Sequence, residues 1–325
     1  MRPEQFSREI PGLRLVWDAT TLDTFMRDPL VYFWQYVEGW RPITKPLPLL
    51  WGGLYHVGIN RYQLRRLEGW TREDALVDAL TRAVAQAWEE ELDEIAVGAK
   101  DGRKRNVATL IRAIIWYDAH YGEDEQYRPV RLADGSPGIE HPFALPLTDP
   151  EGQPLKAPTG EDYILAGSLD GIVEDEDGDL LVREYKHTTT TVSGLYYWQR
   201  FDPNVQVWTY DLVSAFVLGA HTPLKGVLVD ACQTAIGFSN FERNEIVRTD
   251  EQRELWLRTV IRWVRFAEQL AMDGAWCEAM NPATSMWDSA LRRIEARSPS
   301  SWDNWLRANF KREDVWHPLD QGKEV

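Results

Sequence analysis

The stretch GSLDGIVEDEDGDLLVREYK, residues 167–186, decides the fold. Two apolar runs, 163–174 and 180–186, flank Asp175-Glu176-Asp177-Gly178. An Asp-Gly between two such runs is a strong β-hairpin signal, because glycine takes the positive φ that a tight turn needs. Side chains alternate along a strand, so Glu184 and Lys186, two apart, point to one face. Asp170 on the first strand can lie across from them. Two carboxylates and an ammonium on one sheet face are costly unless something pairs them. A divalent cation between the carboxylates does so, and hard oxygen ligands suit Mg2+ or Mn2+. Such an ion polarises a phosphoryl oxygen and lowers the pKa of a bound water. Lys186 can then orient that water or stabilise developing negative charge. The chemistry implied is phosphodiester hydrolysis. An acidic-x-Lys triplet is a weak signal by itself in a chain with 51 acidic residues, and a solvated Glu–Lys pair on a surface strand is the plain alternative.

Upstream of the hairpin the period is helical. A short strand at 13–17 precedes a helix over 22–37, with Thr20 or Thr21 as its N-cap and Pro29 breaking it. Pro42, Pro46 and Pro48 mark a loop. Further helices are expected from Trp51 to about Leu67, from a Thr71 cap to about Leu92 or beyond, and over 107–121. A polar, basic loop at 98–105 separates the last two. A strand at 140–147 and a turn-rich loop at 148–160 lead into the hairpin. Downstream, a Thr-rich loop at 188–191 precedes a helix over 203–218, strands at 225–233 and 241–248, and a long amphipathic helix from Asp250 to about Met272. The last fifty residues are Trp-rich and read as short helices packed on the core. This order gives a mixed α/β fold with a central sheet.

The totals narrow the classes. With 325 residues and 44% hydrophobic content the chain can bury a substantial core,. No run approaches the length of a membrane span, and the N-terminus lacks a signal-peptide pattern. No membrane partner and a cytoplasmic location are therefore expected. Cys232 and Cys277 are expected as free thiols. The net charge of −15 counts mildly against nucleic-acid binding,. Local basic clusters soften this, at Arg103, Lys104 and Arg105, at Arg292 and Arg293, and at Arg183, Lys186 and His187. Most of the 16 tryptophans are expected to pack in the core, with a few open to stacking on bases.

Four further segments resemble the RecB-like branch of the PD-(D/E)XK nucleases, in order and at similar spacing over roughly residues 20–270. Phe25-Met26-Arg27-Asp28-Pro29-Leu30-Val31-Tyr32-Phe33-Trp34 looks like that family's opening helix. Gly52-Gly53-Leu54-Tyr55-His56 looks like its Gly-x-x-x-His helix. Gly167, Asp170, Ile172 and the Glu184-Tyr185-Lys186 triplet match its metal-binding hairpin. Gln206-Val207-Trp208-Thr209-Tyr210 matches its Gln-x-x-x-Tyr helix.

The resemblance implies a restriction-endonuclease-like core with a central mixed sheet flanked by helices. It implies a single nuclease domain over 1–325, with a helical part at 20–125, the catalytic sheet and helices at 126–272, and a C-terminal clasp at 273–325. His56, Asp170 and Glu184 would bind Mg2+ or Mn2+ together with the backbone carbonyl of Tyr185, and Lys186 would assist the attacking water. Gln206 and Tyr210, four apart and so on one helix face, would face the site and the DNA backbone. Glu140 resembles an acidic residue that lies upstream in these enzymes, behind the ligands. On sequence alone a lone histidine on an apolar helix such as His56 is more often a satisfied core residue, a reading that the resemblance inverts.

Many relatives carry four cysteines that hold an iron–sulfur cluster. Here the first of those positions is Asp28 and only Cys277 remains near the others, so no cluster is expected. No phosphate-binding Gly-x-x-x-x-Gly-Lys-Ser/Thr motif is present, so unwinding would come from a partner helicase or recombination protein. The function implied is a metal-dependent exonuclease acting on single-stranded or duplex DNA ends in recombination, repair or phage DNA processing. The other readings are an inactive nucleic-acid-binding module on the same fold and an acidic protein-interaction scaffold.

Overall fold

The computed structural model describes residues 4–149, 151–217, 224–281, 283, 290–295, 297–315 and 317–320. The chain divides into two compact units, one within 1–44, 142–167 and 249–321, the other within 45–141 and 168–248. The elements are β1 (Val16–Trp17), α1 (Ala19–Arg27), α2 (Pro29–Tyr32), β2 (Trp40–Pro42), α3 (Leu47–Leu67), α4 (Arg72–Glu89), α5 (Leu92–Val97), α6 (Val107–Tyr121), β3 (Arg128–Pro129), β4 (Ile139–Pro146), β5 (Ile164–Glu174), β6 (Leu180–Thr188), α7 (Leu195–Trp198), α8 (Val205–Val217), β7 (Leu224–Thr234), β8 (Ser239–Ile246), α9 (Asp250–Asp273), α10 (Trp302–Asn309) and β9 (Phe310–Arg312). The fold is mixed α/β, with a central mixed sheet flanked by helices. The end of the helix expected over 203–218 and part of the C-terminal stretch lie outside the described residues. No helix among the described residues is long and apolar enough to cross a membrane.

In the second unit β5 and β6 are antiparallel, β6 and β7 parallel, and β7 and β8 antiparallel. β3 pairs with the end of β5. Strand β7 is buried almost throughout, as expected of an inner strand covered on both faces. Helices α3, α4 and α6 supply Trp51, Leu54, Tyr55, Ala83, Leu110 and Ile114 to a core that also takes Tyr185, Cys232 and Phe241 from the sheet. Gly58 lets these helices approach. A β-carbon there would sit 2.5 Å from Ile114 Cδ1 and 3.3 Å from Ala83 Cβ.

In the first unit β1 lies parallel to the start of β5, with Val16 opposite Ile164, and β2 pairs with β9. Trp17 stacks on Tyr32, and Phe33 on Trp276. Leu291, Ile294, Leu306 and Phe310 form a cluster with Val31 and Trp40, against which Trp34, Trp302 and Trp305 pack. Asp28 caps α2 by accepting from the Val31 N–H. Its other oxygen accepts from Arg292 Nε at 2.6 Å, both side chains being 6% exposed. Trp17, Trp40, Trp51, Trp256 and Trp276 are buried, whereas Trp88 faces solvent. Both cysteines are free.

Several boundaries differ from those the sequence predicts. The first helix is capped by Asp18, and Thr21 completes its capping box from the third position,. Helix α3 starts at Leu47, four residues before Trp51 and through Pro48, because a proline in the first turn forfeits no intrahelical bond. The chain breaks between α4 and α5 at Glu91, which adopts a left-handed φ of 53°. The helix break at Pro29 forms as predicted, with Asp28 extended between α1 and α2.

Candidate active site

The hairpin is closed by side chains as well as by glycine. Gly178 has φ +85°, and the Asp175 carboxylate accepts from the Asp177 and Asp179 N–H groups and from Lys225 Nζ. The register pairs Gly171 with Arg183, which carried one step further sets Asp170 opposite Glu184. The Tyr185 N–H donates to Asp170 Oδ2 at 3.0 Å and fixes that carboxylate at the strand. Lys186 Nζ donates to Glu184 Oε1 at 2.5 Å and to Gln206 Oε1 at 2.6 Å. Gln206 Nε2 in turn donates to the Tyr210 hydroxyl at 3.1 Å. Helix α8 thus holds the ammonium from one side with two residues one turn apart.

Helix α3 brings His56 to the same place. Its Nδ1 lies 3.6 Å from Asp170 Oδ2, too far for a hydrogen bond. Burial, opposed by the Glu184 charge, lowers the His56 pKa to about 4, so the ring is neutral near pH 7 and has a lone pair to offer. The ring also meets the Tyr185 ring edge-on, with centroids 5.8 Å apart.

The carboxylates move the other way. Burial and then the charge of Asp170 push Glu184 up to about 7. Burial likewise raises Asp170, against the pull of Lys186. Burial and then Asp170 raise Glu140. Glu140 stands behind this group in a left-handed conformation, φ 47°. It accepts from Asn60 Nδ2 at 2.5 Å and from Ser168 Oγ at 3.3 Å. Glu184 is 1% exposed on its side chain, and its Oε2 is buried without a hydrogen-bond partner. Among the described residues no three His, Cys, Asp or Glu side chains stand close enough together to hold an ion as arranged. The Lys186 ammonium is the counter-charge that Glu184 has.

All eight residues singled out from the sequence, His56, Glu140, Asp170, Glu184, Tyr185, Lys186, Gln206 and Tyr210, belong to the second unit. His56, Asp170, Glu184, Tyr185, Lys186, Gln206 and Tyr210 are joined by the contacts above, and Glu140 by its charge. Sequence reasoning missed Asn60 and Ser168. Asn60 lies four residues after His56, on the same helix face, and that spacing was the available signal. It also missed the role of the opposite strand face. There Arg183 donates to the Tyr127 carbonyl and the Tyr185 hydroxyl. Arg243 binds Asp230, Glu125 and the Tyr117 hydroxyl, so strand β6 is anchored from behind by a buried ionic network.

The sequence model of the PD-(D/E)XK nuclease superfamily matches residues 17–281. No curated protein matches the chain. Among solved structures, one titled "Crystal structure of SSO0001" is similar at 12% identity and a TM-score of 0.30, covering 68% of this chain and 81% of that one.

Proposed function

The chain belongs to the PD-(D/E)XK nuclease superfamily, and from that premise we propose that it is a metal-dependent deoxyribonuclease hydrolysing phosphodiester bonds at DNA ends, an exonuclease of the RecB-like kind without an iron–sulfur cluster. The observation that carries the reading is the hairpin itself. Asp170, Glu184 and Lys186 meet on one sheet face, and a Glu184 oxygen is left buried and unpartnered.

These residues fit a divalent ion by donor chemistry. Two carboxylates and a neutral imidazole are available, the carboxylates are destabilised as anions without a cation, and oxygen-rich sets suit Mg2+ or Mn2+,. His56, Asp170, Glu184 and the Tyr185 carbonyl would hold it. The ion supplies Lewis acidity and an acidified water. Lys186 orients the attacking water and offsets charge that develops on the phosphate. Gln206, steadied by Tyr210, keeps the ammonium aimed, and Asn60 and Ser168 hold Glu140 behind the ligands. A helicase or recombination protein is the partner that would supply opened DNA, in repair, recombination or phage DNA processing.

Cleavage of end-labelled single- and double-stranded DNA with Mg2+, Mn2+ or EDTA tests this, wild type against Lys186→Ala. Degradation that needs the metal and is lost in the variant is expected, and the position of the label reports polarity. DNA binding without cutting in any metal would instead make the chain a binding module.

A further inference from the structure

A cavity of about 410 Å3 opens in the second unit between α3, the end of α6 and β3, lined by Tyr62, Gln63, Arg66, Tyr121, Glu125 and Arg128 among others. Gln63 follows His56 by seven residues on α3, so it shares that helix face about 10 Å further along. The cavity is therefore two helical turns from the candidate active site and none of its lining belongs to it.

Two arginines line it. Arg61, Arg65, Arg72, Arg183 and Arg243 in the same unit are each paired with a carboxylate. Among the described residues Arg66 and Arg128 are not. Arg66 donates only to the Trp70 carbonyl, which steadies it. Of the cavity's two carboxylates, Glu125 is engaged by Arg183 and Arg243 and Glu123 by Arg72, so among the described residues Arg66 and Arg128 line it with no carboxylate at ion-pair distance. Guanidinium forks match phosphate oxygens. The wall beside them is aromatic, from Tyr62 and Tyr121. Gln63 also lines the cavity; it is 4% exposed, and its amide nitrogen is buried with no hydrogen-bond partner.

We propose that this cavity binds one nucleotide of the substrate strand, its phosphate held by Arg66 and Arg128 and its base beside Tyr121 and Gln63. The choice of a DNA strand as the source rests on the nuclease reading; the cavity's chemistry does not. Held there, a strand would be gripped a short way from the bond at Lys186.

Equilibrium dialysis of dAMP against the full chain in EDTA tests it. Saturable binding is expected, weakened about tenfold by Arg66→Ala and again by Arg128→Ala, and retained by Lys186→Ala. Both arginines are exposed, so the variants should melt like wild type. Absence of saturable binding, binding indifferent to both arginines, or inorganic phosphate binding as tightly as dAMP would each overturn the assignment. A protein that cuts DNA but fails this test loses the nucleotide site alone; one that binds dAMP through the arginines but never cuts loses the nuclease reading alone.

Discussion

Asp28→Ala tests what holds the C-terminal segment in the first unit. Among the described residues, an N-cap and an ion pair go with that carboxylate. One is the cap on α2, through the Val31 N–H at 3.1 Å, worth about 1 kcal/mol. The other is the ion pair with Arg292 at 2.6 Å, in which each side chain is 6% exposed. Removing one partner of a buried pair strands the other charge, at about 3–5 kcal/mol. Here Arg292 keeps the Asn281 carbonyl and has Glu295 at 3.6 Å, which favours the lower end. The expected loss is about 4 kcal/mol, a large share of the roughly 5–15 kcal/mol that native proteins have. Asp28→Asn retains a capping oxygen and should lose about 3 kcal/mol. Urea unfolding followed by tryptophan emission measures both. The double variant Asp28→Ala/Arg292→Leu removes both charges and should recover much of the loss, because replacing a whole buried pair with apolar groups is often near neutral. A single variant within about 1 kcal/mol of wild type, or a double variant as unstable as the summed singles, refutes this account.

Lys186→Ala should lower the metal-dependent cleavage rate by about 10²–10³-fold, the usual cost of removing one positioned donor at a developing charge, read as initial rates on labelled DNA. Asn60→Ala should raise the Mn2+ concentration for half-maximal activity by about 10–100-fold, since groups behind metal ligands tune affinity by that much. Without metal, stability should fall with rising pH through the range where Glu184 ionises. Its folded pKa is raised, so the folded state holds a proton that the unfolded chain releases at its ordinary, lower pKa; stability is greatest below about 4.5 and is lost as pH rises towards about 7,. Thermal melts in EDTA at pH 5 and 8 should show the drop, and Glu184→Gln should lessen it. Gly58→Ala should destabilise by about 1–3 kcal/mol through overpacking against Ile114,, checked by urea midpoint.

The hairpin, the pairing of Glu184 with Lys186 and the reach of Gln206 to Tyr210 were legible because they follow from short-range periodicity. A period of two sets the strand face, and a spacing of four sets the helix face. The extent of α6 was legible for the same reason. The start of α3 at Leu47 was not, because a cluster of prolines signals a loop whether or not one of them sits in a first turn. The partners of Glu140 were hidden by separation, since Asn60 lies 80 residues away along the chain. The Arg183–Arg243–Glu125–Asp230 network was hidden likewise, and charged residues in sequence carry no mark of being buried. The Asp28–Arg292 pair spans 264 residues, so Asp28 in sequence could be noted only as a position without its cysteine.

Alternation along β6 places Glu184 and Lys186 on one side and Arg183 and Tyr185 on the other, with both sides committed to hydrogen-bond partners. A surface turn such as 175–179 ordinarily tolerates insertion or deletion of a residue. Here a change of one residue in that turn would slide β6 past β5 and exchange the two sides, presenting an arginine and a tyrosine where the carboxylate and ammonium stand. The turn is therefore a spacer of fixed length, and natural variation at its tip should run through residue identity, with the number of residues held constant.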